Sequence, residues 1–259
     1  MKKSINKIVM IGAGNLGTNL ATAIHKSGYQ IVQVFSRTSE SARKLAKKTN
    51  ALYTSSLDEI YPYADLYILA LPDDAVLGFL KSKKLNNFFM VHTSGSLPVS
   101  VFKPFSNKFG VFYPLQTFSK NKILNFTDIP VCIEGNDKRT ESDLMKIAKN
   151  ISRNVMVLSS EKRKQAHLAA VFACNFTNHM YTIADEILSR KNISFDLIRP
   201  LIQETSEKVK LMKPALAQTG PALRKDKQIL SAHMKMLAKD ENYKKIYSFV
   251  SKSILSKTK

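Results

Sequence analysis

Residues 7–26, KIVMIGAGNLGTNLATAIHK, combine a strand, a glycine-rich turn and the start of a helix in one uninterrupted stretch. Lys7–Ile11 is a short apolar run that enters the turn directly, which is typical of a buried strand. Gly12, Gly14 and Gly17 then form the pattern G-x-G-x-x-G at the opening of the helix. In this pattern the first glycine makes the turn, the second lets a phosphate approach the backbone, and the third lets helix and strand pack closely. The stretch therefore predicts a βαβ unit that binds a dinucleotide.

The opening of this helix is the predicted phosphate site. Its first backbone N–H groups have no partner within the helix, and they lie at the positive end of the helix dipole. Two other interpretations stay open: the glycines could serve only the tight turn, or the loop could hold another adenosine cofactor, as in methyltransferases. The expected cofactor contacts come from five consecutive residues, Gly12, Ala13, Gly14, Asn15 and Leu16.

The end of the second strand indicates which dinucleotide binds. NAD sites carry an acidic residue about 20 residues after the glycines, where it holds the ribose 2′-hydroxyl. Here Ser36, Arg37 and Thr38 occupy that position, and the first carboxylate is Glu40. A guanidinium and two hydroxyls suit a 2′-phosphate, so we predict NADP rather than NAD. In the alternative interpretation, Arg37 is a solvated turn residue and the hydroxyls of Ser36 and Thr38 help to cap the next helix. The predicted N-cap residue of that helix is Ser39.

Two further strand ends are predicted to reach the same edge of the sheet. The apolar run at 66–71 stops at Pro72, and the run at 88–92 leads into the polar segment HTSGS. Because the carboxyl ends of parallel strands line the ligand crevice of such a sheet, we expect cofactor contacts at both places. Asp73 is more simply the N-cap of the next helix than a catalytic acid. The expected contacts are Leu71, Pro72, Ser94 and Gly95.

The pattern of strands and helices changes once along the chain. From residue 7 to residue 158 short apolar strands alternate with amphipathic helices, and no strand is predicted after residue 160. This predicts an α/β fold, a Rossmann-type doubly wound and mostly parallel sheet, followed by an all-helical C-terminal domain. We place the domains at residues 1–159 and 160–259. Residues 161–191 are expected to form one helix whose apolar middle, 168–176, is buried on every side.

Net charge, apolar content and cysteine count reduce the number of functional classes to which the chain can belong. The net charge of +20 is shared evenly between the two domains, and 32 of the 40 basic residues are lysines scattered along the chain. Such lysines favour a solvated surface over nucleic-acid binding, since arginine is the residue preferred for reading phosphates and bases. No apolar run approaches the roughly 18–20 residues of a membrane helix. Cys132 and Cys174 predict neither a disulfide framework nor a metal site, so we expect a cytoplasmic protein without a metal.

Several motifs occur in the order of one known family. They are GAGNLG, SRT, LALPDDA, HTSGS, YPLQTFS at 113–119, KQAHLAAVFACNFTNHM at 164–180 and TGPALRKD at 219–226. With them the chain resembles the Rossmann-like NADP oxidoreductases that carry a helical C-terminal domain of unknown function. That family is similar to pyrroline-5-carboxylate reductase and to deazaflavin-dependent NADP reductases. The resemblance implies NADP as cofactor, a small-molecule substrate and a homodimer through the helical domain, but no particular reaction.

The long helix carries the predicted catalytic groups. Histidine exchanges protons near neutral pH, so His167 is the candidate acid–base group, and Asn175 is a candidate orienting amide. The family resemblance points to the same stretch. Either side chain could instead satisfy a backbone or dimer contact. The candidate substrate-binding residues are Gln116 in YPLQTFS, and Thr219 and Arg224 in TGPALRKD.

Together these residues predict an oxidoreductase that transfers a hydride between NADP(H) and a small C=O, C=N or related substrate in a cleft between the domains. A reductase that uses a reduced deazaflavin is a variant of this hypothesis. The alternative from another class is a noncatalytic NADP(H)-binding sensor or scaffold. Nucleic-acid association is a third and weaker hypothesis.

Overall fold

The first unit of the protein is built on one eight-stranded sheet. The computed structural model describes residues 5–82 and 88–257. Neighbouring strands are parallel except β6 and β7, and the strand order is β3-β2-β1-β4-β5-β6-β7-β8. The strands are β1 (Lys7–Ile11), β2 (Gln30–Phe35), β3 (Leu52–Thr54), β4 (Leu66–Leu69), β5 (Met90–His92), β6 (Phe109–Pro114), β7 (Val131–Gly135) and β8 (Val155–Val157).

Helices cover both faces of this sheet. Since side chains of a strand alternate between faces, Ile8 and Met10 of β1 enter one core, and Val9 and Ile11 enter the other. The first six strands have the order 3-2-1-4-5-6 of a Rossmann fold, which confirms the predicted fold class. The helices that follow strands in this unit are α1 (Asn15–Lys26), α2 (Ser39–Thr49), α3 (Asp73–Ser82), α4 (Lys138–Ile151) and α5 (Ser160–Ala170).

Three local predictions were wrong. Strand β3 was missed because Leu52 and Tyr53 are exposed, so its three residues show no buried apolar pattern. Helix α2 begins at Ser39, and the cap position belongs to Thr38, whose side chain makes no capping hydrogen bond. Helix α3 begins at Asp73, so that carboxylate lies within the first turn and does not precede it as a cap.

The predicted long helix is divided into three segments. Helix α5 passes into a π-helical turn, Val171–Phe176, and α6 (Thr177–Ser189) follows. The wider π turn changes the angular spacing of the side chains, so one continuous helical face does not run through the segment. The expectation of a buried middle was wrong for the single chain, because Leu168 and Phe172 are more than half exposed and no residue of the π turn is buried.

A second unit of the chain, 176–259, is helical. It contains α6, α7 (Arg199–Leu211), α8 (Pro214–Ala217), α9 (Lys227–Met236) and α10 (Glu241–Ser256). Contacts divide the chain after Asn175 because the residues from 160 to 175 belong with the sheet. The boundary at 159 marks where the strands end, and as a domain limit it stays a prediction. Within the described ranges, no helix has the length and apolar character needed to span a membrane.

Candidate active site

The turn after β1 leaves no room for side chains at two of its glycines. Gly12 has φ +108°, and a Cβ there would lie 2.3 Å from the carbonyl oxygen of Ala70. A Cβ on Gly17 would lie 2.2 Å from the carbonyl oxygen of Gly12. Both distances are far below a van der Waals contact, so the close approach of α1, β1 and β4 requires glycine at these two positions.

Gly14 differs, because its side-chain position faces open space. Apart from its chain neighbours, no described residue has an atom within 4 Å of a Cβ placed there. Gly14 is also the N-cap residue of α1, where no side chain in the described part of the chain caps the N–H groups and the first turn contains no acid. The backbone donors at this positive end of a helix form a cradle that fits a pyrophosphate. Ala13 is buried beneath it, Asn15 is exposed and Leu16 is half-buried.

The cradle lies where the strand order reverses. Strand β1 pairs with β2 on one side and with β4 on the other, so its carboxyl end opens the crevice typical of a Rossmann fold. The N–H of Gly12 donates to the carbonyl of Phe35 at 2.8 Å. The residues after β4, half-buried Leu71 and exposed Pro72, reach this same edge, and a Leu71 methyl carbon would lie 3.3 Å from a Cβ on Gly12.

The predicted 2′-phosphate residues lie together after β2. Ser36 is half-buried and its N–H donates to the carbonyl of Thr54 at 3.2 Å, while Arg37 and Thr38 are exposed. Within residues 5–82 and 88–257 no carboxylate forms an ion pair with Arg37. The next acid along the chain, Glu40, pairs with Lys44. The guanidinium is therefore available to an anion.

His167 meets the carboxyl edge of the sheet at two points. Its Nδ1 lies 3.0 Å from the hydroxyl of Tyr113, and the two rings form an edge contact. On the other side its ring lies against Gly95, where a Cβ would be 2.6 Å from the His167 Cγ. His167 is half-buried, and Nε2 has no hydrogen-bond partner among the described residues. The structure thus holds one face and one nitrogen of the imidazole and leaves the second nitrogen free.

Tyr113 is the functional candidate that the sequence reasoning missed. It lies near the end of β6 with 8% of its surface exposed. Burial raises the pKa of Tyr113 to about 12, Cys132 adds to this, and the charge of Arg163 opposes it. The phenol therefore stays protonated at neutral pH. A hydroxyl can donate to a neutral Nδ1 or accept from a protonated one, so Tyr113 can hold His167 in both protonation states. The expectation that residues at the carboxyl ends of parallel strands line the ligand crevice would have selected Tyr113, had it been applied to β6.

Other candidates in the first unit have different surroundings. Ser94 is buried, and its Oγ accepts from the N–H groups of Ser96 and Leu97, both at 2.9 Å. The amide oxygen of Gln116 accepts from the N–H of its neighbour Thr117 at 2.8 Å. Asn175 is exposed on the π-helical turn, a type of turn that is frequent at functional sites.

Thr219 and Arg224 belong to the second unit. Thr219 lines an apolar pocket of that unit together with Gly220 and Pro221. Arg224 is exposed, and it does not pair with Asp226, whose carboxylate instead accepts from the N–H of Ile229 at 3.1 Å as the N-cap of α9.

Comparison with known proteins identifies the family of this chain. Residues 7–90 match the family described as "NADP oxidoreductase coenzyme F420-dependent", and residues 129–254 match a domain of unknown function, DUF2520. A solved structure named "putative NADP oxidoreductase BF3122" from Bacteroides fragilis is 47% identical, with a TM-score of 0.90, over 98% of this chain and 99% of that one. The chain belongs to this family of NADP oxidoreductases.

More distant structures share the fold of the family. An imine reductase from Myxococcus stipitatus, solved with NADP⁺, is 15% identical with a TM-score of 0.68 over 96% of this chain and 92% of its own. A pyrroline-5-carboxylate reductase from Coxiella burnetii is 13% identical with a TM-score of 0.57 over 99% and 98%. A curated glutamyl-tRNA reductase of Methanococcus aeolicus is 25% identical over 160 residues, which are 61% of this chain and 39% of that protein. The chain thus spans about two fifths of that relative's length.

His92, at the end of β5, yields a prediction on acid stability. It is fully buried, its Nδ1 accepts from the N–H of Ser94 at 3.2 Å, and its ring stacks on Phe102. Burial, and then the charge of Arg163, lower the pKa of His92 from 6.5 to about 3. Between pH 6.5 and about 3, His92 is therefore protonated in the unfolded chain and neutral in the folded chain. The stabilising effect is complete above pH 6.5 and is lost as the pH falls towards 3, by up to roughly 4 kcal/mol.

The test compares the wild type with His92→Asn, whose amide oxygen can still accept from Ser94. Urea unfolding at pH 7 and pH 4.5 should show the wild type losing roughly 2 kcal/mol more than the variant over this interval. The difference between the two pH values is the readout, so a lower baseline stability of the variant does not matter. Equal losses in both proteins would contradict the buried neutral imidazole.

Proposed function

We propose that the protein is a cytoplasmic oxidoreductase that binds NADP(H) and transfers a hydride to or from a small substrate with a C=N or C=O bond. The observation that carries the proposal is the pairing of two sites on one edge of one sheet. These are the open cradle at Gly14 and the half-buried pair Tyr113–His167. The two free cysteines, one buried and one exposed, suit a reducing compartment.

The choice of NADP over NAD rests on the groups after β2. A ribose 2′-phosphate carries negative charge and accepts hydrogen bonds, which the unpaired guanidinium of Arg37 and the hydroxyls of Ser36 and Thr38 can supply. An acid in this position would repel the phosphate, and Glu40 is already paired with Lys44. The imine reductase of similar fold was solved with NADP⁺, which supports the choice.

The cofactor, His167 and Tyr113 have separate roles in the proposed reaction. The nicotinamide, when bound, supplies or receives the hydride at the substrate carbon. His167 supplies or takes the accompanying proton at the substrate heteroatom through Nε2, so that one hydride and one proton add across the double bond in reduction and leave it in oxidation. Tyr113 holds Nδ1 throughout, which keeps Nε2 directed at the reactant. Gly95 lets the imidazole lie against the strand end.

We also propose that two copies associate through the helical unit. In α7, α9 and α10 no residue is buried within the single chain. A helical unit needs a buried apolar face to be stable, and large apolar side chains left exposed together mark an association surface. A second copy is the partner that the family resemblance implies. The exposed apolar side chains of this unit include Leu197, Leu201, Leu211, Leu216 and Phe249.

The cofactor proposal is tested by Arg37→Asp. Replacing a cation by an anion beside the 2′-phosphate should weaken NADPH binding roughly 10- to 100-fold, the range expected for losing a charge-assisted contact. NADH has no phosphate there, so its affinity should change less than about 3-fold. Isothermal titration of each nucleotide measures both values, and equal losses would exclude a 2′-phosphate role for Arg37.

Two further variants control that experiment. Arg43→Asp makes the same change of charge on the exposed surface of α2 and should leave both affinities near the wild-type values. Gly14→Val should abolish binding of both nucleotides while the thermal midpoint stays within a few degrees, since among the described residues only the chain neighbours of Gly14 lie near the new side chain. If the folded wild-type protein binds neither nucleotide, the proposed function is wrong.

The role of His167 is tested by His167→Ala. With NADPH as reductant and a panel of cyclic imines, ketones and an oxidised deazaflavin as acceptors, the variant should reduce the best acceptor 10²- to 10⁴-fold more slowly. Its NADPH affinity should be retained. His179→Ala, a change at an exposed histidine of α6, serves as the control. An unchanged rate removes His167 from the mechanism, whereas NADPH binding without turnover of any acceptor favours a sensor.

The dimer proposal is tested by the mass in solution. Sedimentation equilibrium should give about twice the 29.1 kDa of one chain. Leu211→Glu together with Phe249→Glu places charges on the exposed apolar surface and should lower the mass to one chain or leave the helical unit unfolded. A wild-type protein that stays at the mass of one chain at 100 μM would overturn the proposal.

A further inference from the structure

Arg163 in the first turn of α5 is a fully buried cation. Its exposed fraction is 0%, although the side chain carries a permanent charge. Taking such a charge out of water is costly unless every donor is satisfied. The hydrogen-bond partners of the guanidinium therefore indicate what role its burial has.

The guanidinium joins three separate parts of the first unit. Nε donates to the carbonyl of Ser94 at 3.1 Å, and Nη2 donates to the carbonyl of Leu97 in the same turn after β5. Nη1 donates to the carboxylate of Glu134 on β7. One side chain thus connects α5, the turn at 94–97 and β7.

Glu134 and Ser160 complete this network. The carboxylate of Glu134 accepts from both the N–H and the Oγ of Ser160, at 2.9 and 2.8 Å, so it also fixes the start of α5. The Oγ of Ser160 accepts from the N–H of Val99 at 2.9 Å. The first turn of α5 is consequently bound to both the sheet and the segment that follows β5.

His167 lies one helical turn beyond Arg163. Residues four apart share a helix face, so the face that buries Arg163 is also the face that presents His167 to Gly95 and Tyr113. Gly95 itself belongs to the turn that Arg163 binds through Ser94 and Leu97. The helix that carries His167 and the turn that flanks its ring are therefore held by the same guanidinium.

We propose that Arg163, together with Glu134, is a positioning residue for His167. It fixes the helix that carries the imidazole and the turn that packs against it as one body, and so places Nδ1 within reach of the Tyr113 hydroxyl. Arg163 touches neither cofactor nor substrate in this scheme. The proposal deepens the proposed function, because it rests on the role of His167 as the acid–base group.

The test reads the His167 ring directly in the full chain, without substrate. Histidine labelled with ¹⁵N gives ring-nitrogen shifts, and His167→Gln assigns the signal of this residue. Tyr113→Phe defines the shift of an Nδ1 without its hydrogen bond. In Arg163→Met and in Glu134→Gln, the Nδ1 shift should move at least two thirds of the way from the wild-type value to the Tyr113→Phe value.

A matched control separates positioning from stability. Arg153→Met also breaks an arginine–carboxylate pair, but that pair with Asp128 is exposed, so the His167 signal should stay at the wild-type position. If Arg163→Met does not fold, Arg163→Lys keeps the charge but cannot bridge Ser94, Leu97 and Glu134 at once, and it should give the same shift. Folded variants with a lower thermal midpoint and an unchanged Nδ1 shift would show a merely structural ion pair and overturn the proposal.

The outcome is independent of the cofactor. The ring signals are recorded without nucleotide, so failure of NADPH to bind the wild-type protein would refute the proposed function and leave this result intact. Conversely, an unmoved His167 signal in a protein that binds NADPH refutes the positioning role alone.

Discussion

The close approach of α1 to β1 and β4 is the constraint on which the rest of the structure depends. Side chains on Gly12 or Gly17 would overlap carbonyl oxygens at 2.3 and 2.2 Å, so only glycine lets the helix begin directly above the strand ends. The same approach directs the unpaired N–H groups of the first turn over the crevice at Gly14. One steric requirement thus produces the packing of the core and the anion cradle together.

Features that repeat along the chain could be predicted from the sequence. Apolar strands alternate with amphipathic helices, and parallel strands bring their carboxyl ends to the same edge, so the residues after β2, β4 and β5 could be placed at that edge before any contact was known. His167 was reached differently, from its chemistry and from a family motif. These local signals cover the Rossmann fold class and the residues predicted for the nucleotide side of the candidate site.

Features that arise from contacts between distant residues could not be reached in this way. Tyr113 and His167 are 54 residues apart, and nothing in the sequence near either one indicates their hydrogen bond. In the sequence, Arg163 looks like an ordinary charged residue in the polar first turn of a helix. Its burial is possible only because Glu134, Ser94 and Leu97 lie close to it in the folded chain and accept its hydrogen bonds. The π-helical turn was not predicted because its residues would be equally suitable for an α-helix.

The two units differ in how many of their apolar residues are buried, and this difference bears on the proposed function. The first unit has cores on both faces of its sheet and a satisfied buried cation, so the cradle at Gly14 and the pair Tyr113–His167 rest on rigid elements. Few residues of the second unit are buried within one chain, which is why we propose that a second copy covers its helices. A proton donor must keep its position to within a fraction of an ångström. The proposed proton transfer therefore suits the first unit, which holds His167 by its own contacts with Tyr113 and Gly95.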